Sequence, residues 1–267
     1  MSPRLRRLAS SALALALSSV SLGASAFVWP NVPEQIDRAL TSGDVADRRV
    51  AAQRIAELPP EIGVPLAARA MADPDVEVRL RAASATVEFR TPRAGDVVIP
   101  WLAEGDARLR LAACEVIRAS PTERSVVALG RVLGDPDAHV RLSAAAAIGA
   151  GGLADGVSPL LGHLDDGSPE VRVEVARALG RIGDPRAVVP LVGKVQDAVP
   201  EVRKAVARAL GELGDPRSAS ALMLTLQDAS GEVRVEAVTA LGRMRAKDAT
   251  LAIASLLDRA DGETAQP

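Results

Sequence analysis

The chain has no tyrosine, two phenylalanines and two tryptophans, and it has only one cysteine and two histidines in 267 residues. The scarcity of rings excludes a thick core built on large side chains. Alanine, valine and leucine have to fill the interior, and such small side chains let helices approach closely. A single thiol, Cys114, excludes an internal disulfide and reads as a small buried apolar residue. His139 and His163 stand 24 residues apart with no cysteine or cluster of acids beside them, which is not a metal-ligand spacing. Lysine is nearly absent (Lys194, Lys204 and Lys247) and the formal net charge is −2. There is therefore no global attraction toward nucleic acid or anionic lipid. No glycine-rich phosphate loop and no G-x-S-x-G nucleophile turn occur. The reading is of a non-enzyme with no cofactor and no metal.

What is present begins with an address. Met1 to Arg7 carries Arg4, Arg6 and Arg7 with no acid, an alanine- and leucine-rich run follows to Leu22, and Ala24-Ser25-Ala26 supplies small residues at a cleavage point. This is the pattern of a secretory signal peptide over residues 1–26. The apolar run is shorter than the ~20 residues a membrane span needs, so no membrane insertion is expected after cleavage. Loss of the three arginines takes the formal charge from −2 to −5. The expected location is periplasmic or secreted, from a bacterial source.

The rest of the chain is periodic. Arg48, Arg79, Arg110, Arg141, Arg172, Arg203 and Arg234 stand 31 residues apart. A fixed period of this size means stacked copies of one supersecondary unit, not a globular domain around a cleft. In the copy from Asp184 to Gly214, Asp184 can cap a first helix and Pro185 fills its first turn. That helix is expected over 185–195, bent by Pro190. A second helix is expected over 200–210, closed by Gly211 to Gly214. In the preceding copy Val171, Val175, Ala178, Leu179 and Ile182 share one arc of a helix, with Glu170, Glu174, Arg177 and Arg181 opposite. A second register of Gly149, Gly180, Gly211 and Gly242 implies close helix contact or a loosened helix end.

The run from Asp166 to Pro185, Asp-Gly-Ser-Pro-Glu-Val-Arg-Val-Glu-Val-Ala-Arg-Ala-Leu-Gly-Arg-Ile-Gly-Asp-Pro, resembles the HEAT repeat family in its short bacterial form, named after phycobilisome lyases. The frame recurs at 197–216 and 228–248, with altered endings at 73–87 and 135–149. It is degenerate at 105–117 and weakest at 42–58. The resemblance spans roughly residues 31–260. It implies an all-α, right-handed α-solenoid of about seven helix pairs plus a C-terminal capping helix at 248–259. Asp73, Glu104, Asp135, Asp166, Asp197 and Asp228 each precede a period arginine by six residues; Ser42 stands there in the first copy. By the resemblance each acid lies in the turn of its pair and bonds the arginine of an adjacent repeat, a buried structural ladder suited to the planar guanidinium.

The domain layout expected is a signal peptide at 1–26, a solenoid at 27–260 and a disordered tail at 261–267. Phe27 and Trp29 would follow cleavage directly, as a plug on the first repeat or as a docking arm. By the resemblance, second helices line the inner curve. Their outward positions are charged in later repeats, as at Glu174, Arg177 and Arg208. In the middle they read Arg108, Ala112 and Glu115, then His139, Ser143 and Ala146. A small, weakly charged patch on a concave face suits docking. The expected function is a non-catalytic protein-binding or scaffold module of the cell envelope, as a monomer or within a larger complex. It would hold a protein or peptide with Ala112, Ser143 and Ala146 central and Glu174, Arg177 and Arg208 at the rim. The alternative is an accessory or lyase-like HEAT protein holding a small ligand.

Overall fold

The computed structural model describes residues 31–246 together with residues 250 and 254, and all its regular structure is helical. Fourteen helices form seven pairs: α1 (Val32–Ser42) and α2 (Val45–Arg54); α3 (Pro60–Ala70) and α4 (Val76–Glu88); α5 (Ala94–Val97) and α6 (Ala107–Ala119); α7 (Glu123–Val132) and α8 (Ala138–Gly151); α9 (Val157–Leu161) and α10 (Pro169–Ile182); α11 (Val188–Val192) and α12 (Pro200–Leu213); α13 (Ala219–Thr225) and α14 (Gly231–Arg243). The segments expected to be a signal peptide, the Phe27–Trp29 arm, the tail and all but Thr250 and Ala254 of the closing helix lie outside the described residues.

The start of the first five second helices is set by one position of the repeat. Asp44, Asp75, Asp106, Asp137 and Ser168 recur every 31 residues, and each accepts a hydrogen bond from a backbone amide of the first turn it caps. Such a cap contributes about 1 kcal/mol by satisfying an amide that the helix leaves without a partner. Val199 takes this position before α12, where Pro200 removes one amide instead. The ends follow another register. Gly152, Gly183 and Gly214 close α8, α10 and α12 with φ of 63°, 75° and 66°, the left-handed turn that glycine enters freely. Arg90 and Arg245 occupy the same register with φ of 48° and 52°.

The first helices of the later pairs differ from the sequence expectation. Residues 185–195 are not one helix bent at Pro190. Pro185–Ala187 forms a 3₁₀ turn capped by Asp184, and α11 runs only from Val188 to Val192. Pro190 is the third residue of α11, where an intrahelical amide is not yet required. The second helix is longer than expected: Gly211 lies inside α12, and Gly214 alone ends it.

Packing follows the predicted arc and then exceeds it. Val171, Val175, Ala178 and Leu179 are fully buried, and each large apolar side chain so buried contributes about 1.5–3 kcal/mol. Ala176 and Gly180, off that arc, are buried as well. The reason is a second contact. Consecutive even-numbered helices pack against one another through the stack, whereas consecutive odd-numbered helices touch lightly. Closer packing on one side bends a stack toward that side, so the even-numbered helices line the inner curve.

The glycine register makes that closeness possible. A Cβ on Gly149 would lie 2.8 Å from the Ala178 Cα, one on Gly180 2.9 Å from the Ala209 Cα, and one on Gly211 2.7 Å from the Ala240 Cα. The helices run past these glycines to Gly151, Ile182 and Leu213, so close contact, not a loosened end, is what the register encodes. Cys114 is buried in the same interior, and desolvation pushes its thiol up to about 12.

The arginine ladder joins each repeat to the next. Arg48, Arg110, Arg141, Arg172 and Arg203 donate through Nε and Nη2 to both oxygens of Asp73, Asp135, Asp166, Asp197 and Asp228, with Nε distances of 2.8, 2.6, 2.8, 3.0 and 2.6 Å. From Arg110 on, Nη1 donates to the carbonyl of the acid in its own turn, as Arg172 does to Asp166 at 2.8 Å. Each ladder aspartate also accepts the amide two residues on, as Asp197 does from Val199. The rungs are less buried than the resemblance implies: Arg172 and Asp197 keep 14% and 10% of their side-chain surface exposed. They lie in the turns along the edge of the stack, where water reaches one side. Arg234 donates to the carbonyls of Asp228 and Ala229; the residue 25 further on is Arg259, which ends the series.

Candidate functional site

The inner face divides into two kinds of surface. Between α10, α12 and α14 it is charged and internally paired. Glu174 bonds Arg181 and lies 3.7 Å from Arg177. Arg208 donates to Glu236 at 2.8 Å, and Lys204 to Glu232 at 2.7 Å. These last two pairs bridge neighbouring repeats. Hydrogen bonding to Lys204 holds the Glu232 carboxyl below the usual carboxylate range. Arg177 and Arg208 share a notch of about 170 Å³ with Glu201, Lys204, Ala205 and Glu232.

Between α4 and α6 the surface is apolar and open. A cleft of about 400 Å³ is lined by Leu80, Ala83 and Val87 of α4 and Ala112 and Val116 of α6, with Ser84, Glu88 and Glu115 beside them. Its origin lies in the glycine register. Val87 and Val116 stand 29 residues apart, as do Gly149 and Ala178, Gly180 and Ala209, and Gly211 and Ala240. Two valines in place of a glycine and an alanine add side-chain volume that bars so close an approach, and the cleft lies there.

The residues read from sequence as a partner surface fall on both surfaces and between them. Ala112 and Glu115 line the cleft. His139 is exposed at the start of α8, and Ser143 and Ala146 are half-buried further along it. Arg177 and Arg208 sit in the charged notch, with Glu174 paired beside it. Arg108 is exposed but folds back on Asp106, donating at 2.7 Å, and that bond together with the Arg108 amide lowers the Asp106 carboxyl. An apolar opening of the inner face thus lies between repeats two and three, one repeat before the expected centre. Leu80, Ala83, Ser84, Val87, Glu88 and Val116 escaped the sequence reading. The signal that finds them is valine at both positions, Val87 and Val116, where later repeats carry glycine and alanine.

The third repeat is irregular in its ladder too. Glu104, longer by one methylene than the aspartates, takes Arg79 through Nη1 alone at 2.9 Å. The Arg79 Nε is buried with no hydrogen-bond partner among the described residues. Its guanidinium lies over Trp101, 5.6 Å from the ring centroid, a cation–π contact that offsets part of the loss. No group of three or more potential metal ligands occurs among the described residues, and no helix there is long and apolar enough to cross a membrane.

Comparison with known proteins agrees with this geometry. The family described as HEAT repeats matches residues 32–118, 95–168 and 157–227, and the PBS lyase HEAT-like repeat matches 233–259. Among solved structures, YibA of Escherichia coli is similar with a TM-score of 0.60 and 19% identity, covering 81% of this chain and 82% of that one. An engineered protein has a TM-score of 0.58 and 24% identity, covering 85% and 71%. The complex of CpcE and CpcF of phycocyanin lyase from Nostoc has a TM-score of 0.51 and 18% identity, covering 85% and 99%. Likeness at these identities is likeness of fold. A search of curated proteins yields no match. With seven stacked helix pairs, a ladder of arginines joining them and family matches over most of its length, the chain belongs to the HEAT-repeat family.

Proposed function

We propose that this protein is a non-catalytic binding scaffold that takes an extended peptide or protein segment along the inner face of repeats two to five. One observation carries the reading. The inner face is apolar and open between α4 and α6, continues past Ser143 and Ala146 with little charge, and from Glu174 onward is charged with most of its cations paired to acids. Charges already paired within the chain add little to association, whereas an exposed apolar cleft gains by being covered. The pattern of residues 1–26 supports export, with the partner in the cell envelope. The lyase-like alternative has only shared fold behind it, since the chain has no tyrosine and the α4–α6 cleft has no aromatic residue among its described lining to stack on a pigment.

The test is a crosslinking pull-down from the native envelope fraction, with residues 27–267 as bait beside Ala112→Arg and Ala146→Arg variants. A single protein enriched by the wild type and lost with both variants is the expected result. Equal enrichment by all three baits would remove the inner face as the docking surface.

A further inference from the structure

The cleft between α4 and α6 has a definite chemistry. Its floor is aliphatic: Leu80, Ala83, Val87, Ala112 and Val116. Carboxylates stand on both of its sides. Glu115 on α6 is occupied by Arg118, which donates at 2.5 and 3.0 Å to one of its oxygens. Glu88 on α4 is exposed and has no ion pair among the described residues. It is also the last residue of α4, where the partial negative charge of the helix end adds to its own. The unpaired field at the rim is therefore negative, over an apolar floor.

An aspartate or glutamate entering the cleft would meet that field as repulsion. A purely aliphatic side chain would cover the floor and leave Glu88 partly desolvated with no partner. A lysine or arginine satisfies both parts, with its methylene stem along the floor and its charged head at the rim. We propose that the cleft is the pocket for a lysine or arginine side chain of an extended partner peptide, with Glu88 as its counter-ion. The proposal rests on the peptide-binding reading above and narrows it. The charged notch between α10 and α14 suits this part less well, because the cations Lys204, Arg208 and Arg177 already stand in it and two of them hold Glu232 and Glu236.

The test begins with random linear peptides displayed on phage and selected on the whole chain. Selected sequences are then synthesised with a fluorescein label and titrated by anisotropy. A lysine or arginine should recur at one position of the selected peptides. Its replacement by norleucine should weaken binding to the wild-type protein by about tenfold, and the protein variant Glu88→Gln should lose a similar factor, as expected for a partly desolvated ion pair. The two losses should not add, since each removes the same contact. Glu88→Lys, at an exposed position that does not threaten the fold, should select peptides with an acid at that position. Peptides that bind and are lost with Ala112→Arg, but show no basic position or ignore Glu88→Gln, would overturn the pocket and leave the scaffold reading standing. Failure to select any peptide that Ala112→Arg removes would overturn both.

Discussion

Repeats five to seven and repeats two and three are built on the same period, yet they use it differently. In the later repeats glycine meets alanine where second helices cross, each aspartate receives two arginine hydrogen bonds, and inner-face charges pair from one repeat to the next. In the earlier ones valine meets valine, a glutamate replaces the aspartate, and a buried arginine nitrogen is left without a partner. Close helix contact is kept in the later repeats, and a cleft is left between the earlier ones. Glycine against alanine closes the inner face, and the cleft lies where both positions are valine.

The sharpest way to break the comparison is through the ladder. Arg172→Met leaves Asp197 mostly buried without its guanidinium. The expected loss is about 2–3 kcal/mol, below the figure for a fully buried pair because water reaches these turns. Arg79→Met, at the lapsed rung, should lose clearly less, since one of its nitrogens is already unsatisfied. Urea unfolding midpoints of the two variants decide it, and equal losses would show that both rungs contribute alike.

Acid titration acts on the same rungs. The Arg141 and Arg203 guanidiniums hold the Asp166 and Asp228 carboxyls below their usual value of 3.8, against the desolvation that raises them. At Asp135 and Asp197 desolvation is the largest influence and pushes upward, but the arginine and backbone hydrogen bonds together outweigh it. A depressed folded-state value means that the contribution is complete above about pH 4 and is lost as the pH falls through that lower value. Thermal midpoints should therefore decline below about pH 4, and less steeply in Asp166→Asn, whose midpoint is lower at neutral pH. A midpoint that holds steady down to pH 2 would contradict the assignment.

Glycine substitutions test the crossing points. Gly211→Ala brings a Cβ to 2.7 Å from the Ala240 Cα, and helix backbone cannot yield as a side-chain tip can. A loss of about 1–2 kcal/mol is expected despite alanine's better helix propensity. Gly242→Ala, in the same register with nothing among the described residues within 4 Å, should gain up to about 1 kcal/mol. Opposite signs at one register position, measured by denaturation, are the signature sought. The smallest effect concerns helix ends: Arg90→Gly and Arg245→Gly should each gain about 0.5–1 kcal/mol by relieving left-handed backbone. No gain at either would mean that the arginine side chains stabilise those turns in another way.

Much of the fold was legible because repetition multiplies weak signals. One arginine six residues after one acid means little, but six such pairs at a constant spacing specify a ladder, and the bonds are found as expected from Arg48–Asp73 to Arg203–Asp228. The buried arc of Val171, Val175 and Leu179 was equally readable, since it depends only on helical periodicity. The burial of Ala176 and Gly180 was not, because it depends on a neighbouring helix that periodicity within one segment does not describe. The break at Ala187 is not legible from Pro190, because the residues before it form a 3₁₀ turn that the proline's position does not mark. Of the expected partner surface, Ala112 and Glu115 were placed in a cleft, but Leu80, Val87 and Glu88 were missed.

Repeat length, helical class, the pairing of acid with arginine and the core arc of each second helix can all be read from residue order. All of these are local or strictly periodic, so spacing alone carries them. Which register glycines touch a neighbour, how exposed the ladder is, and where the inner face opens emerge from the packing of the repeats against one another. Those properties depend on the distance between two helices 29 residues apart along the chain. That distance is set by the volumes of both partners at the crossing: small where glycine meets alanine, larger where Val87 meets Val116.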